Sequence, residues 1–71
     1  MTKTITVNGK IEKFPSQVGL IELLTLQDID VETVKGIAVA VNEKIVRRTD
    51  WANTPLVGGE RVEIVTARQG G

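Results

Sequence analysis

The residues of this sequence with the clearest potential for chemistry are the last two, Gly70 and Gly71. With 7 glycines in 71 residues, a pair at the end arises by chance at a rate of about one in a hundred, and glycine readily fills frayed termini. A tail without Cβ atoms can also be threaded as bare backbone through a narrow channel, which brings its carboxylate into the active site of another protein. Composition is compatible with both interpretations.

The length of the tail favours the second interpretation. From Arg68 the chain spans at most roughly 13–14 Å when fully extended, which is enough to project the carboxylate clear of a small domain. A carboxylate is a poor electrophile, but ATP can convert it to an acyl-adenylate. A sulfur donor can then displace AMP and leave a terminal thiocarboxylate, which is a protected, nucleophilic sulfide.

Catalysis by the chain itself is disfavoured by what the sequence lacks. It contains no histidine and no cysteine, the two side chains that most often titrate or attack near neutral pH. A chain of 71 residues supports one domain with a modest core and little room for a substrate cavity. The sequence therefore predicts a carrier on which other enzymes act, rather than an enzyme.

The charge balance limits the classes of molecule that the protein can bind, and the start of the chain bears on its cellular compartment. Nine basic and nine acidic residues cancel, so there is no basic excess to neutralise nucleic-acid phosphates. The first seven residues contain no continuous apolar core like that of a signal peptide, and no window approaches the roughly 20 apolar residues of a membrane span. We expect a cytoplasmic protein that binds neither nucleic acid nor membrane.

A short acidic segment is the one candidate for a metal site. Asp28, Asp30 and Glu32 alternate as in a calcium loop, but the glycine of the sixth position and the glutamate of the twelfth are missing. The sequence therefore predicts a solvated loop and no metal site.

The elements that must position the tail begin with a β-hairpin around Asn8-Gly9, between two runs of alternating apolar residues. A strict two-residue turn sets Val7 opposite Lys10 and sends Ile11 to the other face, whereas a three-residue loop with a bulge pairs Val7 with Ile11. We favour the bulge.

A helix is predicted after Pro15, starting at Ser16 or Gln17. Its apolar residues recur at three- and four-residue spacing, so this face must lie on a sheet. Residues 27–35 show no sustained period and are predicted to be a connection. The apolar face comprises Val18, Leu20, Ile21, Leu23 and Leu24.

Further strands follow the connection. The apolar run Ile37–Val41 suits a central strand covered on at least one face, with alanine where space is tight. The order of elements is that of an α+β β-grasp: a mixed sheet with one helix packed across it, over residues 1–67, before a tail at 68–71. The later elements are a turn at Asn42-Glu43, a strand at 44–46, an irregular stretch at 49–55, a turn at Gly58-Gly59 and a last strand through Val62, Ile64 and Thr66.

Several motifs occur together between residue 40 and the end of the chain: the run 40–48, Trp51, Leu56, Gly58-Gly59-Glu60, residues 62–65 and Arg68-Gln69-Gly70-Gly71. Together they resemble the thiamin-biosynthesis sulfur-carrier family, ThiS. The resemblance covers nearly the whole chain, although the N-terminal hairpin and helix agree in order and pattern only. Arg47 stands where the family often has proline, and Glu60 where it often has aspartate.

This resemblance implies a ubiquitin-like β-grasp fold, a chemistry and the partners that carry it out. An E1-like adenylyltransferase, using ATP and a divalent metal, would adenylate Gly71. A sulfur donor such as a cysteine desulfurase system would then form the thiocarboxylate, and thiazole synthase would receive the sulfur. Gly70, Gln69 and Arg68 would be recognised as the tail, and no cofactor would be bound by the chain itself.

Three alternatives remain open at this point. The small subunit of molybdopterin synthase has a similar fold and Gly-Gly end, but the short length and the motif from Ala40 to Trp51 favour the thiamin carrier. A ubiquitin-like protein modifier could use the same activated carboxylate. A plain β-grasp binding module would carry its Gly-Gly by accident.

Trp51 and Arg48 are candidate contacts for a partner. Trp51 either caps the edge of the core beside Leu56 or anchors a partner, and large rings are usually buried. Arg48, like Arg47 and Arg61, also suits a solvated fringe. Arg68 stands three residues before the carboxylate, where a protein that grips the tail could pair with it.

Overall fold

The computed structural model describes residues 1–66, whose strands form one five-stranded sheet in the order β2-β1-β5-β3-β4. The central strand β5 is parallel to β1 and antiparallel to β3. This arrangement confirms the predicted α+β, β-grasp fold. In chain order the elements are β1 (Thr2–Val7), β2 (Lys10–Pro15), α1 (Leu20–Leu26), β3 (Ile37–Val41), β4 (Lys44–Val46), a 3₁₀-helix (Arg48–Asn53) and β5 (Arg61–Thr66).

The β1–β2 hairpin has the strict two-residue turn, so the predicted bulge is wrong. Val7 pairs with Lys10, and Thr6 pairs with Ile11. Asn8 and Gly9 have φ angles of 51° and 82°, the left-handed pair that a type I′ turn requires and that matches the twist of the strands. Turn chemistry therefore determines the register, although it leaves Ile11 72% exposed.

The helix begins later than predicted. Residues 16 and 17 form a turn in which the Val18 N–H donates to the Pro15 carbonyl at 3.0 Å. The first helical residue is Leu20, and the Glu22 carboxylate accepts from the Gly19 N–H at 2.9 Å, which is half of a capping box. The start predicted at Ser16 or Gln17 is wrong because a glutamate three residues after Gly19 satisfies the free backbone amide there.

The core lies between α1 and one face of the sheet. Leu20, Leu23 and Leu24 of the helix are fully buried, as predicted for its apolar face. They share one cluster with the inward residues of the strands, which alternate along each strand as a half-covered sheet requires. The members of this cluster outside α1 are Ile5, Val7, Phe14, Val18, Val39, Trp51, Leu56 and Val62.

Two local predictions need correction. Ala38 of β3 is exposed on the sheet face away from α1, so alanine does not mark a tight contact there. The stretch predicted as irregular, 49–55, overlaps the 3₁₀-helix from its second residue to its last, and the Asp50 N–H of this helix donates to the Arg47 carbonyl at 2.8 Å. The predicted connection is confirmed, since residues 27–36 contain neither helix nor strand.

Across residues 1–66, no helix is long and apolar enough to cross a membrane.

Candidate functional site

The candidate site is the C-terminal end of β5, from which the chain continues into the predicted tail. Thr66 is the last described residue and pairs with Ile37 at the start of β3. The tail therefore leaves the middle strand of the sheet, which is held between two neighbours over part of its length. The predicted modification site Gly71 and the recognition residues Arg68, Gln69 and Gly70 lie outside the described residues.

Two turn asparagines fasten β5 along its two edges. On the β1 edge, Asn8 Oδ1 accepts from the Ile64 N–H at 2.7 Å. On the β3 edge, Asn42 Oδ1 accepts from the Arg61 N–H at 2.9 Å. Both asparagines have positive φ angles, 51° and 52°, a conformation that asparagine tolerates better than most residues. Each therefore makes its turn and also binds the strand that carries the tail.

These asparagine contacts were missed by sequence reasoning, which used Asn8 and Asn42 only as turn residues. A partial signal exists, because both occupy the first central position of a two-residue turn between paired strands. The signal does not identify the strand beside each turn. That depends on the order of strands in the sheet.

Trp51 lies inside the domain. Its side chain is 3% exposed, and its indole N–H donates to the Val46 carbonyl at 3.0 Å. This is the position that the core interpretation required. In this structure Trp51 offers almost no surface to a partner, so its alternative role as a partner anchor is not supported.

Arg48 contacts the long connection instead of standing free. Its guanidinium donates to the Val34 carbonyl at 2.6 Å and to the Val31 carbonyl at 2.5 Å. The same group lies 5.3 Å from the centre of the Trp51 ring, within the range of a cation–π contact. Arg48 is nevertheless an exposed residue. Its main visible role is to hold the connection against the 3₁₀-helix.

An apolar strip lies on the outer face of the sheet, beside the end of β5. Val65 is 61% exposed and pairs with Ala38, while Ile45 is 71% exposed and pairs with Ala40. Paired residues share a face, so these four side chains form a shallow strip across β5, β3 and β4. No described residue covers Val65 or Ile45, and exposed strips of this kind are common at protein contacts.

The described residues offer little chemistry of their own. Among residues 1–66, no group of three acidic side chains is placed to hold a metal ion. The Arg61–Glu43 ion pair, at 3.4 Å, is largely exposed on both sides. The arrangement can present the segment that follows Thr66, because β5 is anchored by Asn8 and Asn42 and lies next to the exposed apolar strip.

The comparisons with known proteins agree with this arrangement. The ThiS family model matches residues 2–71. This chain belongs to the ThiS family. The resemblance seen in the sequence is thereby confirmed, including the part of the chain beyond Thr66. A comparison with curated proteins gave no match.

Two solved structures of thiamine biosynthesis proteins from Geobacter metallireducens are similar to this ThiS-family chain. A crystal structure described as ThiS has a TM-score of 0.78 at 24% identity, covering 96% of this chain and 99% of the other. An NMR structure has a TM-score of 0.67 at 28% identity, covering 96% of this chain and 87% of the other. The first likeness shows the shared fold, which extends over almost all of both chains.

Proposed function

We propose that this protein is a sulfur carrier of thiamin biosynthesis, whose terminal carboxylate on Gly71 is the working group. The observation that carries the proposal is the match of the ThiS family to residues 2–71, which includes the Gly-Gly end. The placement of β5 supports it, because the strand that precedes the tail is anchored on both edges by Asn8 and Asn42. The folded domain thus holds the tail in position for partner enzymes.

The chemistry proceeds on partner enzymes, which first activate the carboxylate and then exchange one of its oxygens for sulfur. An E1-like adenylyltransferase joins the Gly71 carboxylate to the α-phosphate of ATP and releases pyrophosphate. A sulfur donor, such as a persulfide formed by a cysteine desulfurase, then displaces AMP. Reductive cleavage of the resulting acyl disulfide by a thiol leaves the thiocarboxylate, which delivers its sulfur to thiazole synthase. ATP and its divalent metal belong to the activating partner.

Recognition of the tail is the part of this function that the chain itself supplies. Gly70 keeps the backbone free of bulk, and Gln69 and Arg68 offer polar groups to the protein that grips the tail. The exposed strip of Val65 and Ile45 provides apolar surface near the same end of the sheet. The carrier would thus be recognised by its tail and by its outer face together.

The test is intact mass spectrometry after incubation with ATP, the cognate adenylyltransferase and a sulfur source. We expect a mass gain equal to replacement of one oxygen by sulfur, and no gain in a variant that lacks Gly71. Thermal melting of the deletion variant should match that of the full chain, because β5 ends at Thr66. A full chain that is never adenylated, or a modified chain joined through Gly71 to lysines of other proteins, would refute the carrier role.

A further inference from the structure

The two edges of β5 are paired over different lengths. Toward β3, pairing continues to Thr66, which lies opposite Ile37. Toward β1, it covers only the pairs Thr6–Arg61 and Val7–Val62, because β1 turns away at Asn8-Gly9. The end of β5 therefore has a neighbouring strand on one side only, within the part of the chain described.

The direction of the backbone groups along β5 follows from the bonds already present. The Val62 carbonyl accepts from the Asn8 N–H at 2.9 Å, and the Ile64 N–H donates to Asn8 Oδ1 at 2.7 Å. Both groups point toward the β1 edge. Because strand residues repeat with a period of two, the Ile64 carbonyl and the Thr66 N–H point the same way. Among residues 1–66, pairing of β1 with β5 ends at Val7–Val62, and Asn8 bonds the Val62 carbonyl and the Ile64 N–H, so the described residues give the Ile64 carbonyl and the Thr66 N–H no partner on this edge.

We propose that this free edge, Ile64–Thr66, is a strand-addition site for an extended segment of the enzyme that activates the tail. Unpaired backbone groups at a sheet edge are recognised by another backbone in the extended conformation. The edge lies one to three residues before the predicted domain boundary at residue 67, so a segment that pairs with it would lie alongside the start of the tail. This inference rests on the proposed function.

The small size of the edge is the reason for choosing this occupant over a second copy of the chain. Each net backbone hydrogen bond strengthens binding by roughly fivefold, so the Ile64 carbonyl and the Thr66 N–H together contribute about 25-fold. That is far too little to hold two copies together, but it is enough to align a tail that the same enzyme already grips. Neither the β2 edge nor the β4 edge adjoins β5, the strand that leads into the tail.

The first test removes one backbone donor. Thr66→Pro deletes the Thr66 N–H, which takes no part in the hydrogen bonds between β5 and β3. The Asn42 N–H bonds the Arg61 carbonyl at 2.7 Å, so the backbone groups of Arg61 point toward β3. Because backbone direction alternates along a strand, residues 63 and 65 also bond β3, and residue 66 does not. Thr66→Val is the matched control, since it keeps the N–H and loses only the hydroxyl. We expect the proline variant to bind the cognate adenylyltransferase at least fivefold more weakly than the valine variant. Equal affinities would overturn the proposal.

The second test needs no substitution, so it remains decisive if the proline variant unfolds. Amide hydrogen exchange is measured for Thr66 and Val65 in the free chain and in the complex with the adenylyltransferase. We expect exchange at Thr66 to slow at least tenfold on binding, while Val65, already paired with Ala38, changes little. Unchanged exchange at Thr66 in a chain that still gains sulfur would refute strand addition and leave the carrier role. Protection at Thr66 in a chain that is never adenylated would refute the carrier role and leave strand addition.

Discussion

Asn8 Oδ1 accepts a hydrogen bond from the Ile64 N–H at 2.7 Å, across 56 positions of the sequence. The contact lies where β1 turns away, and it extends the β1–β5 ladder by one side-chain bond. A residue of the first turn therefore determines where pairing of the tail-bearing strand ends on this edge.

Replacing Asn8 tests this contact. Asn8→Gly keeps the left-handed turn and loses the acceptor for Ile64, so we expect the free energy of unfolding to fall by about 1 kcal/mol. Asn8→Ala loses the acceptor and also strains the backbone at φ 51°, which should add about another 1 kcal/mol. Urea denaturation of both variants measures the difference. Two variants as stable as the wild type would show that the contact contributes nothing.

Arg48, which binds the connection at residues 27–36, should contribute to stability, whereas its neighbour Arg47 should not. Arg48→Ala removes the donors to the Val31 and Val34 carbonyls and the contact with Trp51. Because these groups are partly solvated, we expect a loss of about 1–2 kcal/mol. Arg47→Ala makes the same charge change at an exposed site and should stay within about 0.5 kcal/mol. If both variants have the same melting temperature, Arg48 contributes no more to stability than an ordinary solvated surface arginine.

The helix offers a matched pair for the core. Leu23 is fully buried, whereas Leu26 is 58% exposed on the same helix. Leu23→Ala should destabilise the fold by about 2–5 kcal/mol, through lost burial and the cavity left behind. Leu26→Ala should cost less than about 1 kcal/mol, since most of that side chain already contacts water. The free energies of unfolding are compared in urea, and similar losses at both positions would contradict the assigned core.

Bulk at Gly70 tests whether the tail is threaded through a narrow channel. Gly70→Val should reduce the adenylation rate severely, and Gly70→Ser should reduce it less, with melting temperatures unchanged for both. If glycine provided flexibility alone, serine and valine would both be tolerated, because both can adopt an extended conformation. Adenylation rates at matched concentration, with affinities measured in parallel, decide between these outcomes. A valine variant as fast as the wild type excludes threading.

Much of the fold is readable from local pattern. Alternation placed Ile5 and Val7 in a strand, three- and four-residue spacing placed Leu20 and Leu23 on the buried helix face, and the run from residue 37 to 41 predicted a strand. The family was recognisable from motifs near the end of the chain. These features depend on residues close together in sequence, so one sequence suffices to reveal them.

Other features were decided by contacts between distant segments. The register at Asn8-Gly9 followed the turn and left Ile11 exposed, although the apolar pattern favoured the bulge. Ala38 faces outward because the described part of the chain places no second layer on that side of the sheet.

The sequence by itself determined the order of the elements, the composition of the core and the Gly-Gly end. Each of these depends on the types and spacing of residues that are close together in the sequence. Only the tertiary structure decided that Arg48 binds the carbonyls of Val31 and Val34, and that no other part of residues 1–66 pairs with the β1-side edge of β5 beyond Asn8. Such contacts join backbone groups, which are chemically alike at almost every position. Their pairing is determined by which strands become neighbours when the core closes.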